Sequence, residues 1–235
     1  MAEHYLDNAA TTQVLPEAAD RARALMVEEF GNPSSLHTRG YKARQELEKA
    51  RAAVAGKLGV QPGELAFTSG GTEGNNLALF GAAAARGRLG DKIVTTAIEH
   101  DSVLKAVGEL ERQGFRAVYV KPDKTGQVPL EALEAAIDES TILVSVMAVN
   151  NETGAILPVQ GLSRVIRRKK APALLHTDGV QAFGKLPFSP AKWGIDLCTV
   201  SAHKIHGPKG AGALYVKKGT RILPRAFGGG QERGL

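Results

Sequence analysis

Cysteine is nearly absent from this sequence, which contains one among its 235 residues. A single thiol cannot form a disulfide within the chain, and it excludes a cysteine-rich zinc site. Cys198 lies in the apolar stretch 196–200 (DLCTV). Such surroundings favour a buried structural thiol over a reactive, accessible thiolate.

Long hydrophobic runs are also lacking, since no apolar stretch approaches the roughly 20 residues that a bilayer-spanning helix requires. The N-terminal residues 1–12 (MAEHYLDNAATT) do not place a basic segment before an apolar one, as a secretory signal does. These absences predict a soluble, cytoplasmic protein without a membrane partner.

Positive charge is in moderate excess, with a net charge of +6, but it is not concentrated. The one dense run, 167–170 (RRKK), ends an amphipathic helical pattern, where cations interact favourably with the helix dipole. We interpret this run as a solvated helix end rather than a nucleic-acid patch, so no nucleic-acid partner is expected.

Two amphipathic helices open the chain, and we expect both to pack on the core. The first begins near Pro16 and ends before Gly31, and the second stops at Gly59. Their apolar faces comprise Ala18, Ala22, Leu25 and Met26 in the first helix and Ala43, Leu47, Ala50, Val54 and Leu58 in the second.

From Glu64 onward, short β-rich runs alternate with helical ones. The predicted strands are 65–68, 93–96, 117–120, 142–146, 173–177, 197–201 and 213–216. Seven strands with mostly helical crossovers predict an α/β fold with a mostly parallel sheet covered by helices on both faces. At roughly 100–200 residues per domain, this pattern indicates one large domain.

Polar residues follow the predicted strands, and ligands of open α/β sheets bind beyond the carboxyl ends of the strands. These residues are Gly70, Gly71 and Thr72, then Glu99 and His100, Asn150, Asn151 and Glu152, Asp178 and Gln181, and Ser201, His203 and Lys204. One crevice is therefore predicted to collect a phosphate loop, a carboxylate, an imidazole, an amide and a lysine.

The glycine-rich turn 70–75 (GGTEGN) precedes a helical pattern. Glycines let the backbone approach an anion, and the free N–H groups of a helix N-terminus suit phosphate. The turn matches neither the Walker loop nor the dinucleotide fingerprint. Taken alone, it fits a plain strand-to-helix turn as well as a phosphate site.

Two charged residues occupy positions where ordinary surface charges are uncommon. Asp178 ends an apolar strand, so it either meets a cation such as a protonated pyridine nitrogen or caps a turn. Lys204 follows another apolar strand, where desolvation would favour imine formation with an aldehyde, unless the side chain reaches solvent. His203 and His206 lack a further ligand at zinc spacing, so no metal site is predicted.

These motifs together resemble the cysteine desulfurases (NifS/IscS-like) of the class-V aminotransferase group. The matching segments are 5–12 (YLDNAATT), 31–35 (GNPSS), 68–73 (TSGGTE), 99–100 (EH), 150–154 (NNETG), 178–181 (DGVQ), 201–210 (SAHKIHGPKG) and 228–234 (GGGQERG). They occur in the family's order along the whole chain. The resemblance implies the large domain of a pyridoxal 5'-phosphate (PLP) enzyme of fold type I.

The resemblance also implies roles for single residues. Lys204 would form the Schiff base with PLP and carry protons, and His100 would stack on the pyridine ring and assist acid/base steps. Asp178 would pair with the ring nitrogen, Gln181 with the ring hydroxyl, and Asn151 would lie beside cofactor and substrate. The remaining residues, expected at the phosphate, are Gly71, Thr72, Ser201 and His203.

The family reaction converts L-cysteine to L-alanine and passes the sulfur to an enzyme cysteine as a persulfide, for iron–sulfur clusters or other thio-cofactors. By resemblance, residues 1–15 belong to a small domain and 16–235 form the PLP-binding large domain. The family's acceptor cysteine and C-terminal small domain lie beyond Leu235, so a C-terminally truncated form with weak activity of its own is expected. Cys198 does not match the acceptor.

Other functions stay open at this point. A selenocysteine lyase, a cysteine sulfinate desulfinase or another class-V aminotransferase would share the same cofactor residues. A non-catalytic partner of a full-length homologue and a nucleotide-binding α/β module are further alternatives. The resemblance implies a homodimer that acts on L-cysteine and meets a sulfur-acceptor or iron–sulfur scaffold protein.

Overall fold

The fold is built on one seven-stranded sheet. The structure is a computed structural model that describes residues 4–235. The strands are β1 (Leu65–Thr68), β2 (Lys92–Thr96), β3 (Arg116–Val120), β4 (Thr141–Ser145), β5 (Leu174–Asp178), β6 (Leu197–Ser201) and β7 (Gly212–Val216). Their order is β1-β7-β6-β5-β4-β2-β3, and β7 runs antiparallel to the six mutually parallel strands around it. The predicted mostly parallel sheet is confirmed, and each predicted strand lies within a residue of its observed bounds.

Helices connect the strands. They are α1 (Pro16–Val27), α2 (Thr38–Leu58), α3 (Gly71–Arg86), α4 (Asp101–Arg112), α5 (Leu130–Ala136), α6 (Val159–Arg168) and α7 (Pro190–Trp193). None of the helices in the described part of the chain has the length and apolarity to cross a membrane.

Two apolar layers cover the sheet, because successive side chains of a strand point to opposite faces. Val94, Val144 and Leu175 lie in one layer, together with residues of α2, α5 and α6. Ile93 and Leu174 lie in the other layer with residues of α3 and α4. Helices therefore cover both faces, as the alternating pattern predicts.

The prediction that α1 packs on the core is wrong. None of its residues is buried, and Met26 is 69% exposed. Of the predicted apolar face of α2, Leu58 is buried, whereas Ala50 is exposed. The apolar spacing correctly predicts two amphipathic helices, but it carries no information about what covers their apolar faces.

The N-terminal segment 4–15 lies alongside the turn after β6. The Thr12 N–H donates to the His203 carbonyl at 2.8 Å, and the Leu15 N–H donates to the His206 carbonyl at 3.0 Å. A boundary between two domains at residues 15 and 16 stays a prediction, and residues 1–3 of that segment lie outside the described part. These contacts bring the segment to the carboxyl edge of the sheet.

Candidate functional site

A cavity of about 570 Å³ lies at the carboxyl edge of the parallel strands. All nine sequence-predicted site residues line it, namely Gly71, Thr72, His100, Asn151, Asp178, Gln181, Ser201, His203 and Lys204. They come from five separate strand ends. They meet because carboxyl ends of parallel strands share one edge.

Lys204 lies in the turn after β6 and is half-buried. Its Nζ donates to the carbonyl oxygens of Ala9 and Ala10, the latter at 2.7 Å. Burial, followed by the positive charge of Lys185, lowers the pKa of the Lys204 amine below its usual range. A larger share of this amine is therefore neutral, and hence nucleophilic, near neutral pH.

Asp178 is the last residue of β5 and is only 6% exposed. Its Oδ1 accepts from the Val180 N–H at 2.9 Å, and its Oδ2 accepts from Asn75 Nδ2 at 2.7 Å. Burial raises the pKa of Asp178, while these hydrogen bonds and the charges of His100 and Lys204 oppose the rise. A cation at this carboxylate would offset the cost of its burial.

The turn between β1 and α3 forms a narrow cradle at a helix N-terminus, a geometry that suits an anion. Gly70, the N-cap of α3, has φ +153°, a conformation that favours glycine. A Cβ at Gly71 would approach Val180 Cγ2 to 3.0 Å, so the narrow turn admits little more than backbone. Nearby, Ser201 Oγ is buried and has no hydrogen-bond partner in the described part of the chain. A free hydroxyl beside a helix N-terminus suits a phosphate oxygen.

Hydrogen bonds to neighbouring residues position Gln181 and Asn151. Gln181 Nε2 donates to the Ala9 carbonyl, and Lys185 Nζ donates to Gln181 Oε1, both at 2.9 Å. Asn151 Nδ2 donates to Glu152 Oε1 at 2.6 Å.

His203 Nδ1 lies 3.2 Å from Thr11 Oγ1. Burial, together with the charge of Lys204, lowers the pKa of His203. The neutral form of this imidazole is thereby favoured.

His100 is the N-cap of α4 and is exposed at the cavity rim. Its Nδ1 accepts from the Ser102 N–H at 3.1 Å and lies 2.8 Å from Ser102 Oγ. The neighbouring Glu99 does not line the main cavity; it is buried, and burial raises its pKa to about 8.

Glu152, predicted among the strand-end residues, also lines the cavity. Sequence reasoning missed several other cavity residues, which are Asp7, Ala9, Ala10, Asn75, Ser102, Met147 and Val180. For Asn75 a signal existed, because it lies one helical turn after Gly71 and therefore on the same face of the helix as that predicted site residue. The carbonyl groups of Ala9 and Ala10 leave no signal in side-chain chemistry.

Cys198 is fully buried in β6, which confirms the structural interpretation of this thiol. Burial and the charge of Asp178 raise the pKa of the thiol well above the usual range. Reactive cysteines are accessible and ionised, and Cys198 has neither property.

Comparisons with known proteins identify the family of this chain. Residues 4–233 match the family model described as aminotransferase class-V. The chain is 44% identical over 230 residues to "Cysteine desulfurase IscS" of Dictyoglomus turgidum, covering 98% of this chain and 58% of that protein. It is 45% identical to "Cysteine desulfurase 2" of Trichormus variabilis, covering 98% of this chain and 57% of that protein.

Solved structures agree as well. A "NIFS-LIKE PROTEIN" superposes with a TM-score of 0.96 at 45% identity, covering all of this chain and 64% of that one. "SspA in complex with cysteine" has a TM-score of 0.94 at 36% identity, with 99% of this chain and 67% of that one covered. The chain thus spans less than two thirds of the length of the curated relatives it matches. Matched over nearly its whole length, it belongs to the class-V aminotransferase family, with the fold-type-I architecture of cysteine desulfurases.

Proposed function

We propose that this chain is the cofactor-binding part of a PLP-dependent cysteine desulfurase, which converts L-cysteine to L-alanine and passes the sulfur to a cysteine acceptor. One observation carries the proposal: a half-buried amine, a buried carboxylate and an unpartnered hydroxyl beside a helix N-terminus line a single cavity. The family is PLP-dependent, and its structural neighbour SspA was solved in complex with cysteine.

The donor set fits the cofactor's phosphate at the cradle between β1 and α3. The backbone N–H groups of Gly71 and Thr72 and the hydroxyl of Ser201 are the proposed ligands. His203, which lines the same cavity, would complete the set.

The donor set also fits a pyridinium ring. Asp178 would hold the protonated ring nitrogen, and Gln181 would face the ring hydroxyl. His100 would lie against the ring, and Asn151 beside the substrate. When bound, PLP supplies an aldehyde that condenses with amines and a ring that withdraws electrons from the substrate's α carbon.

Lys204 is the proposed covalent attachment point and proton carrier. Its lowered pKa keeps part of the amine neutral near pH 7, where it can attack a carbonyl or accept a proton. To react, Nζ must leave the carbonyl groups of Ala9 and Ala10, so the N-terminal turn would control its position.

The sulfur acceptor is proposed to be a cysteine other than Cys198, because that thiol is fully buried. A homodimer, a sulfur-acceptor or iron–sulfur scaffold partner and a cytoplasmic location are parts of the same proposal.

The test combines a visible-region spectrum with trapping of the lysine. We expect added PLP to give a new absorption band and, after borohydride reduction, a mass increase on the peptide containing Lys204. Lys204→Ala should lose both signals, while Lys218→Ala, which changes an exposed lysine after β7, should keep them. Reductive labelling spread evenly over surface lysines in the wild type would contradict the proposal.

Substrate class is tested in the same preparation. Alanine formation from cysteine is expected to exceed that from selenocysteine or cysteine sulfinate. The opposite order, with the Lys204 adduct intact, would retain the cofactor assignment and replace the substrate.

A further inference from the structure

Two side chains, those of Asn75 and Ser102, link the Asp178 carboxylate of the site to the His100 imidazole. Asn75 Nδ2 donates to Asp178 Oδ2 at 2.7 Å and to Ser102 Oγ at 2.9 Å. Ser102 Oγ in turn lies 2.8 Å from His100 Nδ1. Asn75 is fully buried and Ser102 is buried, so bulk water does not compete for these bonds.

The direction of each hydrogen bond in this chain of side chains is determined by its neighbours. The Ser102 backbone N–H can only donate, and it points at His100 Nδ1 from 3.1 Å. Nδ1 is therefore an acceptor. Ser102 Oγ accepts from Asn75, so its own hydrogen is available for the same nitrogen.

The orientation of the Asn75 amide follows from its surroundings as well. The atom facing the Asp178 carboxylate must be the donor nitrogen, because an ionised carboxylate only accepts. The other amide atom, Asn75 Oδ1, is buried and has no hydrogen-bond partner in residues 4–235. A flipped amide would leave the carboxylate facing an oxygen.

The geometry points to Asn75 and Ser102 as positioning residues that hold neutral His100 in the tautomer with its proton on Nε2. In this tautomer the edge of the ring away from Ser102 is a hydrogen-bond donor, suited to the carboxylate oxygen or thiolate sulfur of an amino-acid substrate. Neutral His100 cannot accept a proton at Nε2, so proton removal falls to the amine of Lys204. The substrate part of this inference rests on the proposed function, whereas the tautomer does not.

Nitrogen-15 NMR of the histidine side chains tests the tautomer directly in the protein without added cofactor. The chain has six histidines, and comparison with His100→Gln assigns the resonances of His100. At a pH where imidazoles are neutral, we expect His100 Nε2 to resonate as a protonated nitrogen and Nδ1 as an unprotonated one. Protonation at Nδ1, or an even mixture of tautomers, would overturn the assignment.

Variants test the positioning residues. Ser102→Ala removes one of the two donors to Nδ1 and should lower the tautomer ratio about fivefold, the effect of one ordinary hydrogen bond. Asn75→Ala should act in the same direction, and Ser102→Thr, which retains the hydroxyl, should restore the ratio. Asn76→Ala, next to Asn75 but with its side-chain amide donating to the Thr72 carbonyl, is the control. An unchanged ratio in both Ser102→Ala and Asn75→Ala would refute the role of these residues.

Measurements of turnover distinguish a failure of this inference from a failure of the proposed function. If the wild type forms the Lys204 adduct, Ser102→Ala should form it equally well and produce alanine from cysteine about three- to tenfold more slowly. Equal rates across the pH range would refute the donor role of His100. Failure of the wild type to bind PLP would refute the proposed function and leave the tautomer result intact.

Discussion

Lys185 is the residue whose charge most directly affects the reactive amine. It donates to Gln181 Oε1, and Gln181 and Lys204 both donate to the Ala9 carbonyl, so the two lysines are joined through one amide and one carbonyl. Lys185 is exposed, whereas Lys204 is half-buried. Burial lowers the pKa of Lys185 as well, but its side chain is the more exposed of the two, so its positive charge repels a second charge at Lys204.

We predict that Lys185→Met raises the pKa of Lys204, because the charge that lowers it is removed. The pH dependence of PLP adduct formation should move to higher pH, and the rate at pH 7 should fall about two- to fivefold, as expected for a solvent-screened pair. Stopped-flow absorbance measures both. Lys192→Met, an exposed lysine on α7, is the control, and equal shifts in both variants would argue for an effect of net charge alone.

Glu99 is a buried carboxyl group whose raised pKa makes the stability of the protein depend on pH. Burial raises its pKa to about 8 from a usual value near 4.5, so the folded protein retains a proton that the unfolded chain loses. Its contribution to stability is thus present below about pH 4.5 and lost as the pH rises toward 8. Its Oε1 accepts from the Met147 N–H and from Thr96 Oγ1, bonds that an amide oxygen can keep.

We therefore predict that Glu99→Gln is relatively more stable at higher pH. The difference in free energy of unfolding, variant minus wild type, should increase by about 2–3 kcal/mol between pH 5 and pH 7. Urea titrations at the two pH values measure this. A constant difference would mean that Glu99 is ionised in the folded protein.

At the scale of elements, α3 is the helix that builds the site. It supplies Gly71, Thr72 and Asn75 and packs against β6 at Gly74. A Cβ at Gly74 would lie 2.6 Å from Thr199 Cγ2, so the helix approaches the sheet as closely as a glycine allows. This close approach brings the Asn75 amide within reach of Asp178 on the neighbouring strand.

We predict that Gly74→Ala destabilises the protein by about 1–3 kcal/mol, because α3 must move away from β6. The matched control is Gly108→Ala in α4, where a Cβ meets no atom within 4 Å. There the substitution should stabilise by about 0.5–1 kcal/mol through helix propensity. Chemical denaturation measures both, and effects of the same sign would refute the packing argument.

For the molecule as a whole, acid sensitivity should arise at the centre of the sheet. His176 is fully buried in β5, and burial lowers its pKa to about 3 from 6.5. The unfolded chain therefore takes up a proton below about pH 6.5 that the folded protein does not, and stability is lost as the pH falls through this window.

We predict that the wild type loses about 2 kcal/mol more than His176→Gln between pH 7 and pH 5. The glutamine can still bond Ser145 Oγ, which lies 2.8 Å from His176 Nδ1. Other acidic groups affect both proteins alike, so the difference in unfolding free energy isolates the histidine. Parallel losses in the two proteins would place the acid-sensitive step elsewhere.

The local sequence pattern determined the strands, the helix bounds and the candidate site residues. Short β-rich runs predicted the strands, and the Pro16 and Gly59 signals bounded helices. Asp178 and Lys204 stood out because charges are costly after apolar strands. Since parallel strands share a carboxyl edge, the convergence of nine predicted residues in one cavity also followed from the sequence.

Tertiary structure alone decided which groups touch. The exposure of α1 depends on what lies opposite its apolar face, and the bonds from Lys204 to Ala9 and Ala10 join residues almost 200 positions apart. The link from Asp178 through Asn75 and Ser102 to His100 depends on how closely α3 approaches β6. Hydrogen bonds require distances near 3 Å, and such distances between remote segments are set by packing rather than by local sequence pattern.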